Sequence, residues 1–120
     1  MNRSQFNEFC ALLPATTHVV QWGNADVWKI GGKIFAIGSR WGKENLDLDV
    51  KISFKCSDFS YALLIEEPGI IPAPYLARAK WVQIETAGAL DDDEIGNYLG
   101  AAYEIIVSKL TKSTRLELGL

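Results

Sequence analysis

The sequence predicts an α+β domain, a two-layer sandwich in which a mostly antiparallel sheet carries helices at both termini. Three patterns predict it. Apolar residues recur at helical spacing near both ends of the chain. Between them, runs of β-branched and aromatic residues are separated by glycine-containing turns. One segment, Asp49 to Lys55, alternates apolar and polar side chains with the period of a strand. The 120 residues suit a single domain, 1–120, able to bury a core without a disulfide or a metal.

The first helix is expected over residues 4 to 13. Phe6, Phe9, Cys10 and Leu13 share one face, Ser4 is placed to cap the start, and Pro14 ends the helix by forcing the preceding residue out of α geometry. Thr17 to Trp22 reads as a strand and Gly23-Asn24 as a turn. Val27 to Ile30 and Lys33 to Ser39 flank Gly31-Gly32, a two-residue hairpin link whose glycines accept positive φ. The run Ile34-Phe35-Ala36-Ile37 is apolar on both faces and marks a central strand. Arg40 to Leu46 is read as a loop with Trp41-Gly42 at its apex. In the next strand Val50, Ile52 and Phe54 point to the core, and Asp49, Lys51, Ser53 and Lys55 form a wet, mostly basic face.

Ser57 is the expected N-cap of a second helix that runs to about Glu66, with Phe59, Ala62, Leu63 and Glu66 on one apolar side and Tyr61, Leu64 and Ile65 widening it. Pro68-Gly69 stops it. Residues 70 to 80 are expected to be irregular, since two prolines cannot both sit in a sheet interior. Trp81 to Glu85 is the last strand. The C-terminal helix is the best specified element. Asp91 and Glu94 form a capping box, Leu90 and Ile95 a hydrophobic staple, and Ile95, Leu99, Ala102, Ile106 and Lys109 or Leu110 one stripe. The tail, 112–120, is expected to fray. The predicted order is α-β-β-β-β-α-β-α.

Formal net charge is −3 with a pI near 5.1, an acidic balance for a nucleic-acid binder. The charge is uneven. Residues 27–57 carry Lys29, Lys33, Arg40, Lys43, Lys51 and Lys55 against Glu44, Asp47 and Asp49, whereas residues 85–104 carry six carboxylates and no base. This spread suits either a dipolar surface or a merely solvated one. Two cysteines without a CxxC pair suit a reducing, cytoplasmic setting. The opening residues have no signal-peptide pattern, and no apolar run reaches the roughly 20 residues of a membrane helix.

No catalytic constellation is legible, and no metal or cofactor is expected. His18, the single histidine, has no Asp, Ser or Cys partner nearby in sequence and reads as a half-exposed strand residue. Cys56 precedes a helix cap, where a thiolate can be acidified, yet reads with Cys10 as a small buried hydrophobe. Asp91, Asp92 and Asp93 lack the alternation of a calcium loop and serve the helix start. Gly31-Gly32-Lys33 precedes a strand and so is not a phosphate-binding loop of the Walker type. Trp22, Trp28, Trp41 and Trp81 are many for this length. Trp28 and Trp81 read as core; Trp41, between Arg40 and Lys43, reads equally as core or as a ring offered to a ligand.

The segments His18-Val-Val-Gln-Trp-Gly23, Val27-Trp-Lys-Ile-Gly-Gly-Lys-Ile-Phe-Ala36, Ile52-Ser-Phe-Lys-Cys56, Ile70-Ile-Pro-Ala-Pro-Tyr75, Lys80-Trp-Val82 and Tyr103-Glu-Ile-Ile-Val-Ser-Lys-Leu110 together resemble the MmcQ/YjbR-like family, in order and over nearly the whole chain. The resemblance implies a small bacterial domain with a double-wing arrangement, DNA binding and no catalytic residues. On that basis Lys29, Lys33, Arg40, Trp41, Lys43, Lys51 and Lys55 are the expected DNA contacts, in a monomeric, non-enzymatic module. A protein- or peptide-binding adaptor, using segment 70–80 and exposed rings near Trp41 and Tyr75, is the second reading; an enzyme comes last.

Overall fold

Four helices and six strands make up a computed structural model that describes residues 1–39 and 49–120. The elements are α1 (Arg3–Leu12), β1 (Thr16–Gln21), β2 (Ala25–Ile30), β3 (Lys33–Ser39), β4 (Lys51–Lys55), α2 (Asp58–Leu64), β5 (Ile70–Pro72), a 3-10 turn (Ala77–Ala79), β6 (Trp81–Ile84), α3 (Asp92–Ser108) and α4 (Lys112–Glu117). The strands form one antiparallel sheet in the order β1-β2-β3-β4-β6-β5. This is the α+β architecture the sequence predicts, with helices at both ends.

One sheet face carries the main core. Trp28, Ile30, Phe35, Ile52, Phe54 and Val82 pack under Phe6 and Cys10 of α1 and under Leu99, Ala102 and Ile106 of α3. Between β2 and β3 the register shifts: Trp28 opposes Ala36 but Lys29 opposes Ile34, leaving Phe35 as the extra residue of a bulge. The bulge turns Phe35 into the main core, where its ring meets Tyr103 edge-on at 5.7 Å. The opposite face is not bare. Ala73, Leu76 and Trp81 cover Ala25, Val27 and Ile37 in a second, smaller apolar cluster.

Several boundaries differ from the sequence expectation. Helix α1 starts earlier, with Asn2 rather than Ser4 as cap: Asn2 Oδ1 accepts from the Gln5 amide at 2.8 Å, and Gln5 Oε1 accepts from the Asn2 amide at 2.9 Å. Residues 70–80 are not wholly irregular. Ile70–Pro72 is an edge strand, a place where the missing proline N–H leaves no ladder bond unmade. The tail folds back into α4, capped by Thr111 Oγ1 accepting from the Thr114 amide at 3.1 Å.

Two buried faces are also reassigned. The second face of β4 is not wet: Lys51 and Ser53 are buried, and Ser53 donates to Gln83 Oε1 at 3.3 Å. In α2 the buried side is Leu64 with Tyr61 and Ile65; Phe59, Ala62 and Leu63 face outward. Both triads satisfy helical spacing, so periodicity alone does not choose between them.

Candidate functional site

The antiparallel registers sort the charged residues to opposite ends of the strands. At one end lie the Gly31-Gly32 hairpin with Lys33, the close of β4 at Lys55, and Lys80 immediately before β6. The C-terminal end of α3 reaches the same place, because Leu110 lies against Gly31 so closely that a Cβ there would stand 2.7 Å from Leu110 Cδ2. Lys109 therefore joins the group. The loop from Ala73 to Lys80 carries exposed Arg78 at this end too, since its neck is closed by the Ala73 amide donating to Trp81 O at 2.9 Å.

Lys55 reports the crowding. Its Nζ donates to the Ala79 carbonyl. Burial lowers the ammonium's pKa below its ordinary value; Lys109 and Lys80 lower it further, while Asp58 acts in the opposite sense. Lys80 in turn holds its Nζ 4.9 Å from the centre of the Tyr61 ring, and its carbonyl accepts from the Cys56 amide at 2.8 Å. These contacts tie the start of α2 to the loop.

The far end is acidic and its cations are engaged. The Met1 ammonium meets Asp92 at 2.6 Å, Arg3 meets Asp26 at 2.6 Å, and Lys51 meets Glu85 at 3.1 Å. Asp49 accepts from the Arg3 amide there, and Asp91, Asp92, Asp93 and Glu94 crowd the start of α3. Among the described residues, the ion pairs lie at this end, away from Lys33, Lys55, Lys80 and Lys109.

The expected DNA contacts divide accordingly. Lys33 and Lys55 stand at the basic end and Lys29 one step inside it. Lys51 is only 8% exposed and lies at the opposite end of its strand, beside Glu85. Arg40, Trp41 and Lys43 lie outside the described residues. Lys80 and Lys109 belong to the basic group but are absent from the expected contacts: Lys80 stands out in the sequence only as a base beside Trp81, and 25 or more positions separate each from Lys55.

A second polar cluster surrounds Asp26, whose side chain is 1% exposed. Arg3 donates to it from Nε at 2.6 Å and from Nη2 at 3.2 Å, and His18 Nε2 lies 2.8 Å from Oδ1. Burial raises the carboxyl's pKa, but hydrogen bonds from Arg3, His18 and Asn7 outweigh it and hold the group below the ordinary carboxylate range. The histidine ring also lies over Trp28, centroids 4.8 Å apart, and Trp28 Nε1 donates to Asn7 Oδ1 at 2.9 Å. His18 thus has the carboxylate partner that a reading of its sequence neighbours misses. The two cysteines are buried; burial pushes the Cys56 thiol up to about 12, the opposite of an activated nucleophile.

A model of the YjbR family matches residues 11–105. The chain belongs to the YjbR family. None of the curated proteins matches it. Among solved structures, the Deinococcus radiodurans protein DR2400, with a DUF419 domain, superposes with a TM-score of 0.84 at 22% identity, covering 99% of this chain and 88% of the other. A Pseudomonas syringae protein gives a TM-score of 0.70 at 20% identity, with 88% and 98% covered. These likenesses establish a shared YjbR fold. Within this YjbR chain, the described residues hold no group of three or more His, Cys, Asp or Glu side chains poised for a metal, and no helix long and apolar enough to cross a membrane.

Proposed function

We propose that this YjbR-family protein is a non-enzymatic nucleic-acid-binding module that grips the phosphate backbone with the basic end of its sheet. The observation that supports this reading is the sorting of charge along the strands: Lys33, Lys55, Lys80 and Lys109 collect at one end with Asp58 beside them, and Asp26, Asp49, Glu85, Asp91, Asp92, Asp93 and Glu94 collect at the other. A local cationic surface attracts a polyanion even when net charge is negative, because fields from charges more than about 10 Å away are screened at ordinary salt. Lys29 and Arg78 extend the same surface.

The test is an anisotropy titration of a fluorescein-labelled DNA duplex at low and at moderate salt. Binding should weaken steeply as salt rises, with a log–log slope of roughly −0.9 for each phosphate neutralised. A Lys33→Glu/Lys80→Glu/Lys109→Glu variant should lose binding while keeping its thermal midpoint near that of the wild type. Absence of binding at low salt, or a triple variant that binds as the wild type does, refutes the proposal.

A further inference from the structure

We infer that the preferred polymer is single-stranded, held by stacking of its bases on Tyr75 and Phe59 beside the lysines. This inference rests on the phosphate-binding reading above and names its substrate class. Two observations carry it. Tyr75 is fully exposed, at 101%, in the loop that ends at Lys80, and Phe59 is 74% exposed in the first turn of α2, one turn of chain beyond Lys55. Both rings lie in segments that carry the cations: Phe59 follows Lys55 at the start of α2, and Tyr75 lies in the loop that ends at Lys80.

The backbone adds to the case for Tyr75. Its φ is +67, a left-handed conformation that a tyrosine adopts only at an energetic cost. Pro74 precedes it, and the Leu76 amide donates to Ala73 O at 3.1 Å, so the turn holds the ring out rather than letting it fold onto the sheet. Lys80 is held at φ +63 in the same loop. An aromatic platform interleaved with cations suits splayed bases, since every base offers a π-face and every nucleotide a phosphate. In duplex DNA those faces are stacked away and unavailable to the rings.

The experiment compares labelled dT12 with a labelled 12-base-pair duplex on the full chain, its Phe59→Ala variant and a Tyr75→Asn variant, asparagine being tolerant of the left-handed backbone. Circular dichroism checks that each variant is folded. The expected result is tighter binding of dT12 than of the duplex, weakened roughly five- to a hundredfold by each substitution at unchanged salt slope, with duplex binding unaffected. Equal binding of the two polymers, or variants that bind dT12 as the wild type does, overturns the single-strand inference and leaves the phosphate-binding reading standing. No binding of either polymer at low salt overturns both and points to a protein as the occupant of the exposed rings.

Discussion

Asp26 is nearly inaccessible to water, and Arg3, Asn7 and His18 supply the donors that keep it ionised. Because its pKa is lower in the folded than in the unfolded chain, it contributes stability that is present above the ordinary carboxylate value near 3.9 and is lost as pH falls through the depressed folded value. An Asp26→Asn variant should therefore unfold at lower urea than the wild type at neutral pH, and the two midpoints should converge in strong acid. A gap of constant size across that range would show that charge is not what the site stabilises. The His18–Asp26 pairing was hidden in the sequence by register. Trp22, Gly23 and Asn24 all take positive φ in a three-residue turn, so Val20 opposes Asp26 and His18 opposes Trp28 on the same face. A two-residue turn at Gly23-Asn24 would have placed His18 and Asp26 on opposite faces, since one residue of slip exchanges the faces.

Helix α2 shows the same kind of ambiguity at the level of an element. Phe59, Ala62 and Leu63 have the hydrophobicity of a core face, yet Leu64 is the buried residue and Tyr61 and Ile65 flank it. Substituting Leu64→Ala should cost about 2–4 kcal/mol in urea denaturation, whereas Phe59→Ala should fall within about 0.5 kcal/mol of the wild type. The reverse ranking would mean that the helix is turned over. The end of helix α3 at Ser108 and its buried Tyr103 were not legible, but its start was, because its information is local: Asp91 accepts from the Glu94 amide at 2.8 Å, and Glu94 Oε1 accepts from the Asp91 amide at 3.0 Å, four residues deciding it. The Gly31-Gly32 hairpin was legible for the same reason. Strand β5 was not, since Ile70–Pro72 is a strand only because β6 lies alongside it. The buried second face of β4 was hidden likewise: Lys51 and Ser53 are covered by partners from elsewhere in the chain.

For the molecule as a whole, the separation of charge matters more than its sum. Glu66 and Glu67 sit beside the Gly69–Ile70 start of β5, toward the acidic end, where the Ile70 amide donates to Glu67 O at 3.2 Å. Neutralising both, as Glu66→Gln/Glu67→Gln, should raise affinity for DNA a few-fold at low salt and leave it unchanged at physiological salt, because the Debye length shrinks from roughly 30 Å at 0.01 M to about 8 Å at 0.15 M. A gain that persists at physiological salt, measured by the same anisotropy assay, would place those carboxylates next to the bound polymer instead.

The sorting of cations to the tips of the strands also sets an orientation. A sheet that approaches a polyanion tip-first stands upright on it, with its strands normal to the polymer axis. Lys33, Lys55 and Lys80 tip three adjacent strands, β3, β4 and β6, which at roughly 4.8 Å spacing make a contact about 10 Å broad.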